Sequence, residues 1–218
     1  MIKMSINKDL ENGFVLRSAC LEDAIRMEFV QAMCYPTLHQ SEIMDRRHFA
    51  NHIKVFPEGQ LVVEKDGVVI ASTSTFRSEF PKHDHNFLEA SDNLWLTNAQ
   101  VPNGEWLYGI DMGVLPEYRG LGLSKEMYKA RQEVCKQLGL KGQITVGMTI
   151  GFGKVKDKMS IEEYCVGLEK NEFTDPTITP QRKAGFRWVR PVYNYINDPE
   201  AGYASILMYN PVDENYFI

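Results

Sequence analysis

The sequence predicts a mixed α/β (α+β) domain, with a mixed central sheet of about seven strands flanked by about four helices. Three observations predict it. Runs of strand period alternate with runs of helical period in the order β, α, α, β, β, β, α, β, α, β, β. Two β-rich runs meet at Asp66-Gly67, a residue pair that favours a tight hairpin turn. A strand from Leu107 runs through a glycine turn directly into a helix from Leu123, and the next strand follows after Gly139. That connection is a right-handed crossover, which makes the two strands parallel neighbours.

In chain order, residues 1–12 read as a loose tail and 13–218 as a single domain. Phe14 to Ala19 is a short strand. A helix opens at Leu21, with Leu21, Ile25, Phe29 and Ala32/Met33 on one face, and Pro36 ends it. Ser41 is a candidate N-cap for a second helix whose inner residues are Met44, Phe49 and Ile53. Residues 60–76 form the hairpin. Residues 77–93 are charged and irregular, and read as a loop lining a substrate mouth. The helix Leu123–Leu138 carries one apolar face, Leu123, Met127, Ala130, Val134 and Leu138, and Gly139 terminates it. Gln143 to Ile150 is a strand. A basic loop follows, then a capping box at Ser160 and Glu163 for a helix to about Lys170. Phe186–Arg190 and Ala204–Tyr209 are the last strands; two-fold assembly through them, as a homodimer, is compatible with this order.

Composition narrows the function classes. Hydrophobic residues make up 44% and charged residues 24%, ordinary values for a globular domain. A net charge of -5 disfavours a general nucleic-acid binder. No apolar run approaches the ~20 residues of a membrane span, and the polar N-terminus lacks a signal-peptide core, so the cytoplasm is the expected compartment. Cys20, Cys34, Cys135 and Cys165 are scattered and read as reduced and buried, neither bridged nor metal-bound. His48 and His52 stand four apart on a helix, without an accompanying acid, and read as a surface pair; no metal is expected.

The stretch Leu107–Lys125 carries the chemistry. Pro116 ends its strand, and Gly120 and Gly122 allow a tight turn before the helix. Backbone N–H groups at such a helix start, with the positive end of the helix dipole, make an anion site suited to phosphate. Two common phosphate motifs are excluded by spacing. At Gly153-Lys154 a P-loop would need Gly where Met148 stands and Ser or Thr where Val155 stands. The dinucleotide fingerprint would need a third glycine where Lys125 stands. What remains is V-x-P-x-x-R-G-x-G-L, from Val114, Pro116, Arg119, Gly120, Gly122 and Leu123. This pattern resembles the acyl-CoA-binding motif of the GNAT acyltransferases, with Ser124 in place of the final small residue. The element order is similar to the GNAT fold over nearly the whole chain. Further residues, among them Tyr108-Gly109, Asp111, Met159-Ser160, Asp175-Pro176, Gln181, Gly185-Phe186 and Gly202-Tyr203, resemble a bacterial subgroup found alone or fused to nitrilase-type carbon–nitrogen hydrolase domains.

The resemblance implies an N-acetyltransferase: acetyl transfer from acetyl-CoA to a small amine or amino-acid-like acceptor by direct attack, with no metal. It places the CoA diphosphate on Arg119, Gly120, Leu121, Gly122, Leu123, Ser124 and Lys125. It places the pantetheine arm on Met112, Gly113 and Val114, on a strand that splays from its neighbour. Gly113 itself suggests a bulge or a close backbone approach. A protonated amine needs a base, and Asp111, an acid in an apolar strand, is the first candidate, ahead of Glu105 and Asp92. The leaving thiolate needs an acid. Gln181 stands where many relatives carry a tyrosine, which leaves Tyr164, with Tyr193 and Tyr195 as alternatives. Transfer of a longer acyl group, transfer to oxygen, and a catalytically silent acyl-CoA sensor are the competing readings.

Overall fold

A computed structural model describes residues 5–218. Its sheet has eight strands: β1 (Asn7–Asp9), β2 (Phe14–Ser18), β3 (Leu61–Lys65), β4 (Val68–Ser78), β5 (Trp106–Val114), β6 (Gly142–Met148), β7 (Arg187–Tyr193) and β8 (Ala204–Pro211). Their order is β1-β2-β3-β4-β5-β6-β8-β7. Only β5 and β6 are parallel, as the crossover through the helix requires. The helices are α1 (Ala24–Cys34), α2 (Arg46–Val55), α3 (Phe87–Ala90), α4 (Leu123–Leu138), α5 (Ile161–Glu169) and α6 (Ile178–Lys183). The eighth strand is β1, which lies inside the expected tail and pairs with β2 from Asn7↔Arg17 to Asp9↔Val15. Residues 1–4 of that tail lie outside the described residues.

Helix α1 is turned away from the expected face. Leu21, Ile25, Phe29 and Met33 are exposed, and Ala24, Met27, Val30 and Gln31 are buried instead. The reason is Gly113. A Cβ there would stand 2.9 Å from Cys34 Sγ and 3.1 Å from Val30 Cγ1, so the missing side chain lets α1 lie directly on β5. Gly113 is thus a close approach. The bulge lies nearby: Ser74 pairs with Asp111 and Thr75 with Gly109, which leaves Ile110 unpaired on β5.

Helix α2 starts later than expected. Asp45 caps it, accepting from the N–H groups of Arg47 and His48, while His48 reciprocates toward the Asp45 N–H. Ser41 lies in a separate helical turn, Gln40–Glu42. Met44, Phe49 and Ile53 are buried as expected. His48 and His52 are not a surface pair. His52 is fully buried between the Ser74 hydroxyl (2.8 Å) and the Leu94 carbonyl (2.6 Å), and burial holds its pKa down at about 4.

The apolar face of α4 is buried, apart from half-buried Leu138. Gly139, at φ 65°, closes the helix in the left-handed conformation. The capping box of α5 forms between Ser160 and Glu163. Of the cysteines expected to be buried, Cys135 and Cys165 are buried, Cys34 is half-buried and Cys20 is exposed. No helix among the described residues is long and apolar enough to cross a membrane.

Candidate active site

The parallel pairing of β5 and β6 stops partway along both strands. Its last rung joins Gly109 to Thr145, and the Thr145 hydroxyl donates to the Gly109 carbonyl at 3.0 Å. Beyond it β6 pairs only with β8, and β5 only with β4. Ile110 to Val114 therefore has no strand on its β6 side. The bulge at Ile110 bends β5 at the point where the strands separate. The Met112 carbonyl accepts from the Tyr35 hydroxyl at 2.7 Å instead of from a strand.

A cavity of about 70 Å³ occupies the opening. Gly109 to Met112 form one wall and Thr145 to Met148 the other. Gln31 lines it from α1 and Tyr35 from just past its end, Tyr128 and Arg131 from α4, and Gln181 from α6. Phe87, from the expected mouth loop, and Tyr195 also line it.

The turn after β5 leaves a run of backbone donors free. Gly120 and Gly122 have φ of 79° and 80°, left-handed conformations that favour glycine, and a Cβ on either would meet nothing within 4 Å. Gly122 is the N-cap of α4. The first helix-start donor with a backbone acceptor is Glu126, on the Gly122 carbonyl at 3.2 Å. Among the described residues, the N–H groups from Gly120 to Lys125 have no hydrogen-bond acceptor. Lys125 and Arg119 stand exposed at this end, and Arg119 Nε returns to the Val114 carbonyl at 3.1 Å. Along α4 lies a larger cleft of about 410 Å³, lined by Lys125, Lys129, Lys136, Lys183, Arg187 and Glu214. Tyr128 lines both spaces.

Within the cavity the polar groups are deeply buried. Asp111 is 5% exposed, and burial pushes its carboxyl up to about 7 against the opposing effects of the Arg131 charge and the Gln31 amide. Gln31 Nε2 donates to Asp111 Oδ1 at 3.4 Å, while Oδ2 has no partner among the described residues. Glu105 and Asp92, the other acids considered, lie elsewhere: Glu105 pairs with Lys141 and Asp92 accepts from Asn98.

The tyrosines sort by position. Tyr164 is buried in a second apolar cluster, its hydroxyl donating to Asp175 at 2.8 Å, and it does not line the cavity. Tyr193 is exposed and donates to Glu162. Tyr195 lines the cavity but shares its hydroxyl with Tyr108 at 3.1 Å, and Tyr108 is linked to His85 at 2.9 Å. Tyr128 also lines the cavity, next to the Gln181 amide, and burial raises its pKa, which keeps it protonated. Neither Tyr128 nor Arg131 is prominent in the sequence. Arg131 was nevertheless legible there: it lies four residues after Met127 and three before Val134, on the apolar face of α4, where a charged residue is out of pattern.

The model of the acetyltransferase (GNAT) family matches residues 25–149. The probable hydrolase YhcX of Bacillus subtilis (strain 168) is 30% identical over 207 residues, which are 93% of this chain but 40% of that protein. The chain therefore spans well under half the length of that relative. The uncharacterized N-acetyltransferase YkwB of the same organism is 28% identical over 199 residues, 90% of this chain and 88% of that one. Among solved structures, the GphF GNAT-like decarboxylase in complex with isobutyryl-CoA has the same fold, with a TM-score of 0.75 at 18% identity over 90% of this chain and 98% of that one. With more than half of its length matched by the family model, the chain belongs to the acetyltransferase (GNAT) family.

Proposed function

We propose that this protein transfers an acyl group, acetyl in the first instance, from acyl-CoA to the nitrogen of a small amine or amino-acid-like acceptor by direct attack. The observation that carries the reading is the free edge of β5 from Ile110 to Val114, which joins the cradle of unengaged N–H groups at the start of α4 to a cavity holding a buried carboxyl. The CoA diphosphate would rest on the N–H groups of Gly120 to Lys125, with Arg119 and Lys125 adding charge. The lysine-lined cleft along α4 supplies positive charge for the rest of the nucleotide. The pantetheine arm would pair with Met112 to Val114 as a strand does, bringing the thioester to the point where β5 and β6 part. Holding both reactants there makes the attack effectively unimolecular.

Asp111 acts as the base. A carboxyl with a pKa of about 7 accepts a proton from an ammonium far more readily than an ordinary carboxylate does. The freed amine attacks the carbonyl carbon, the C–S bond breaks, the thiolate takes a proton from Tyr128, and the proton that the attacking nitrogen sheds in becoming an amide restores the tyrosine. Tyr128 is preferred to Tyr164 because it lines the cavity, and to Tyr35 and Tyr195 because their hydroxyls are already engaged. Titration calorimetry with acetyl-CoA tests the donor half. A dissociation constant in the micromolar range is expected, and no heat at millimolar ligand would remove the proposal. A transfer assay over an amine panel then separates an enzyme from a silent acyl-CoA sensor.

A further inference from the structure

We infer that the substrate bound in the cavity carries a carboxylate, recognised by Arg131. This deepens the acyl-CoA reading and rests on it. Arg131 is 3% exposed and sits on the inner face of α4 with Met127, Ala130 and Val134. Burying a guanidinium is costly unless its charge and its donors are met. Here no carboxylate pairs with the charge; the Tyr128 ring centroid lies 5.5 Å from Cζ, and the Asp111 carboxyl acts on it only through space. Nη2 donates to the Asp111 carbonyl at 2.6 Å, to the Thr73 hydroxyl, and weakly to the Ser74 carbonyl at 3.5 Å. All three are neutral groups at the bulge between β4 and β5. Arg131 makes no ion pair among the described residues. Its Nε is buried with no acceptor, and its Nη1 makes no hydrogen bond.

Arg131, which carries these unengaged donors, lines the cavity. Nη1 lies 2.5 Å from where a Cβ on Gly109 would be, and Gly109 lines the space at the last rung of the sheet. The absence of a side chain at that position makes room for the guanidinium beside the space. Two further buried atoms of cavity residues lack partners, Asp111 Oδ2 and Gln181 Oε1. A ligand with an anionic group for Arg131 and N–H donors for these oxygens would satisfy all three. The cavity, at about 70 Å³, admits a carboxylate-sized group, and the phosphates of CoA have their own cradle about the start of α4. The carboxylate can come from either reactant. On the acyl chain it makes the donor a dicarboxylic acyl-CoA. On the acceptor it makes the acceptor an amino acid, with its amine toward Asp111.

The test uses the full chain in two arms. The donor arm compares succinyl-CoA with butyryl-CoA for binding by calorimetry, with free CoA as reference. The acceptor arm compares amino acids with their carboxamides in the acetyl-transfer assay. The expected result is a preference of about tenfold or more for the carboxylate form in one arm, the scale of one charge-assisted hydrogen bond. Arg131→Gln should reduce that ratio to within about threefold while free CoA still binds. The arm that shows the preference identifies the source. Equal use of both forms in both arms by the wild-type protein overturns the inference, and that result does not depend on the variant folding. A preference that persists in Arg131→Gln overturns the assignment to Arg131. Absence of CoA binding by the wild-type protein removes the acyl-CoA reading itself, and the inference with it.

Discussion

Arg131, on α4, donates to the main-chain carbonyl of Asp111 at 2.6 Å, while the Asp111 carboxyl occupies the same cavity with one oxygen unpartnered. The arginine thus braces the strand that presents the acid without forming an ion pair with it. The acid stays weak because burial dominates over the nearby positive charge.

Asp111→Asn should lower kcat by about 10²- to 10⁴-fold, the usual range for a lost general base. The wild-type rate should rise with pH to a plateau above about 7, and the variant should lose that dependence. Steady-state rates between pH 5 and 9 check this, with acetyl-CoA affinity as the control expected to hold.

The same carboxyl makes stability pH-dependent. Its folded pKa of about 7 lies above its ordinary value of 3.8, so between these values the folded state holds a proton that the unfolded state has released. Stability from this group therefore falls as pH rises from about 4 to about 7 and is flat above, by at most about 4 kcal/mol. Denaturant titrations of the wild type and Asp111→Asn should diverge across that window, with the variant gaining relative to the wild type at higher pH. Parallel curves would refute the buried, protonated acid.

Gly122→Val tests the cradle. The position is open to a side chain but left-handed, so the substitution should cost roughly 1–2 kcal/mol of stability. The added side chain also crowds the N–H groups from Gly120 to Lys125. Acetyl-CoA affinity should fall by more than the change in stability explains, about tenfold or beyond. Thermal unfolding and calorimetry on the same sample separate the two effects.

Tyr128→Phe and Tyr164→Phe should behave oppositely. The first should lower kcat by about 10-fold or more with little change in CoA affinity. The second breaks the hydrogen bond to Asp175 and should destabilise by about 1 kcal/mol, with kcat nearly unchanged. Kinetics and melting curves on both variants decide which tyrosine protonates the thiolate.

Local rules carried much of this protein. The Asp66-Gly67 hairpin, the Gly139 helix stop, the Ser160–Glu163 capping box and the glycine turn at Gly120 and Gly122 depend on a few adjacent residues, so they are readable in the chain and recur in the structure. Where a long-range contact decides, the sequence misleads. Its periodicity points to Leu21, Ile25, Phe29 and Met33 as the inner face of α1, yet Gly113, some eighty residues later, draws the Val30–Cys34 side onto β5.

The order of elements, the parallel crossover and the glycine turn that opens α4 are written in the chain, because spacing and turn chemistry are local properties. The sequence also nominated Asp111, an acid inside an apolar strand. Only the tertiary structure decided which acids and tyrosines share one space. Separation of β5 from β6 beyond Gly109 and Thr145 opens the cavity, and the packing of α4 beneath it brings in Tyr128 and Arg131 while leaving Tyr164 with Asp175. Burial, which raises the pKa of Asp111 and lowers that of Arg131, is a property of that packing, and no single stretch of sequence encodes it.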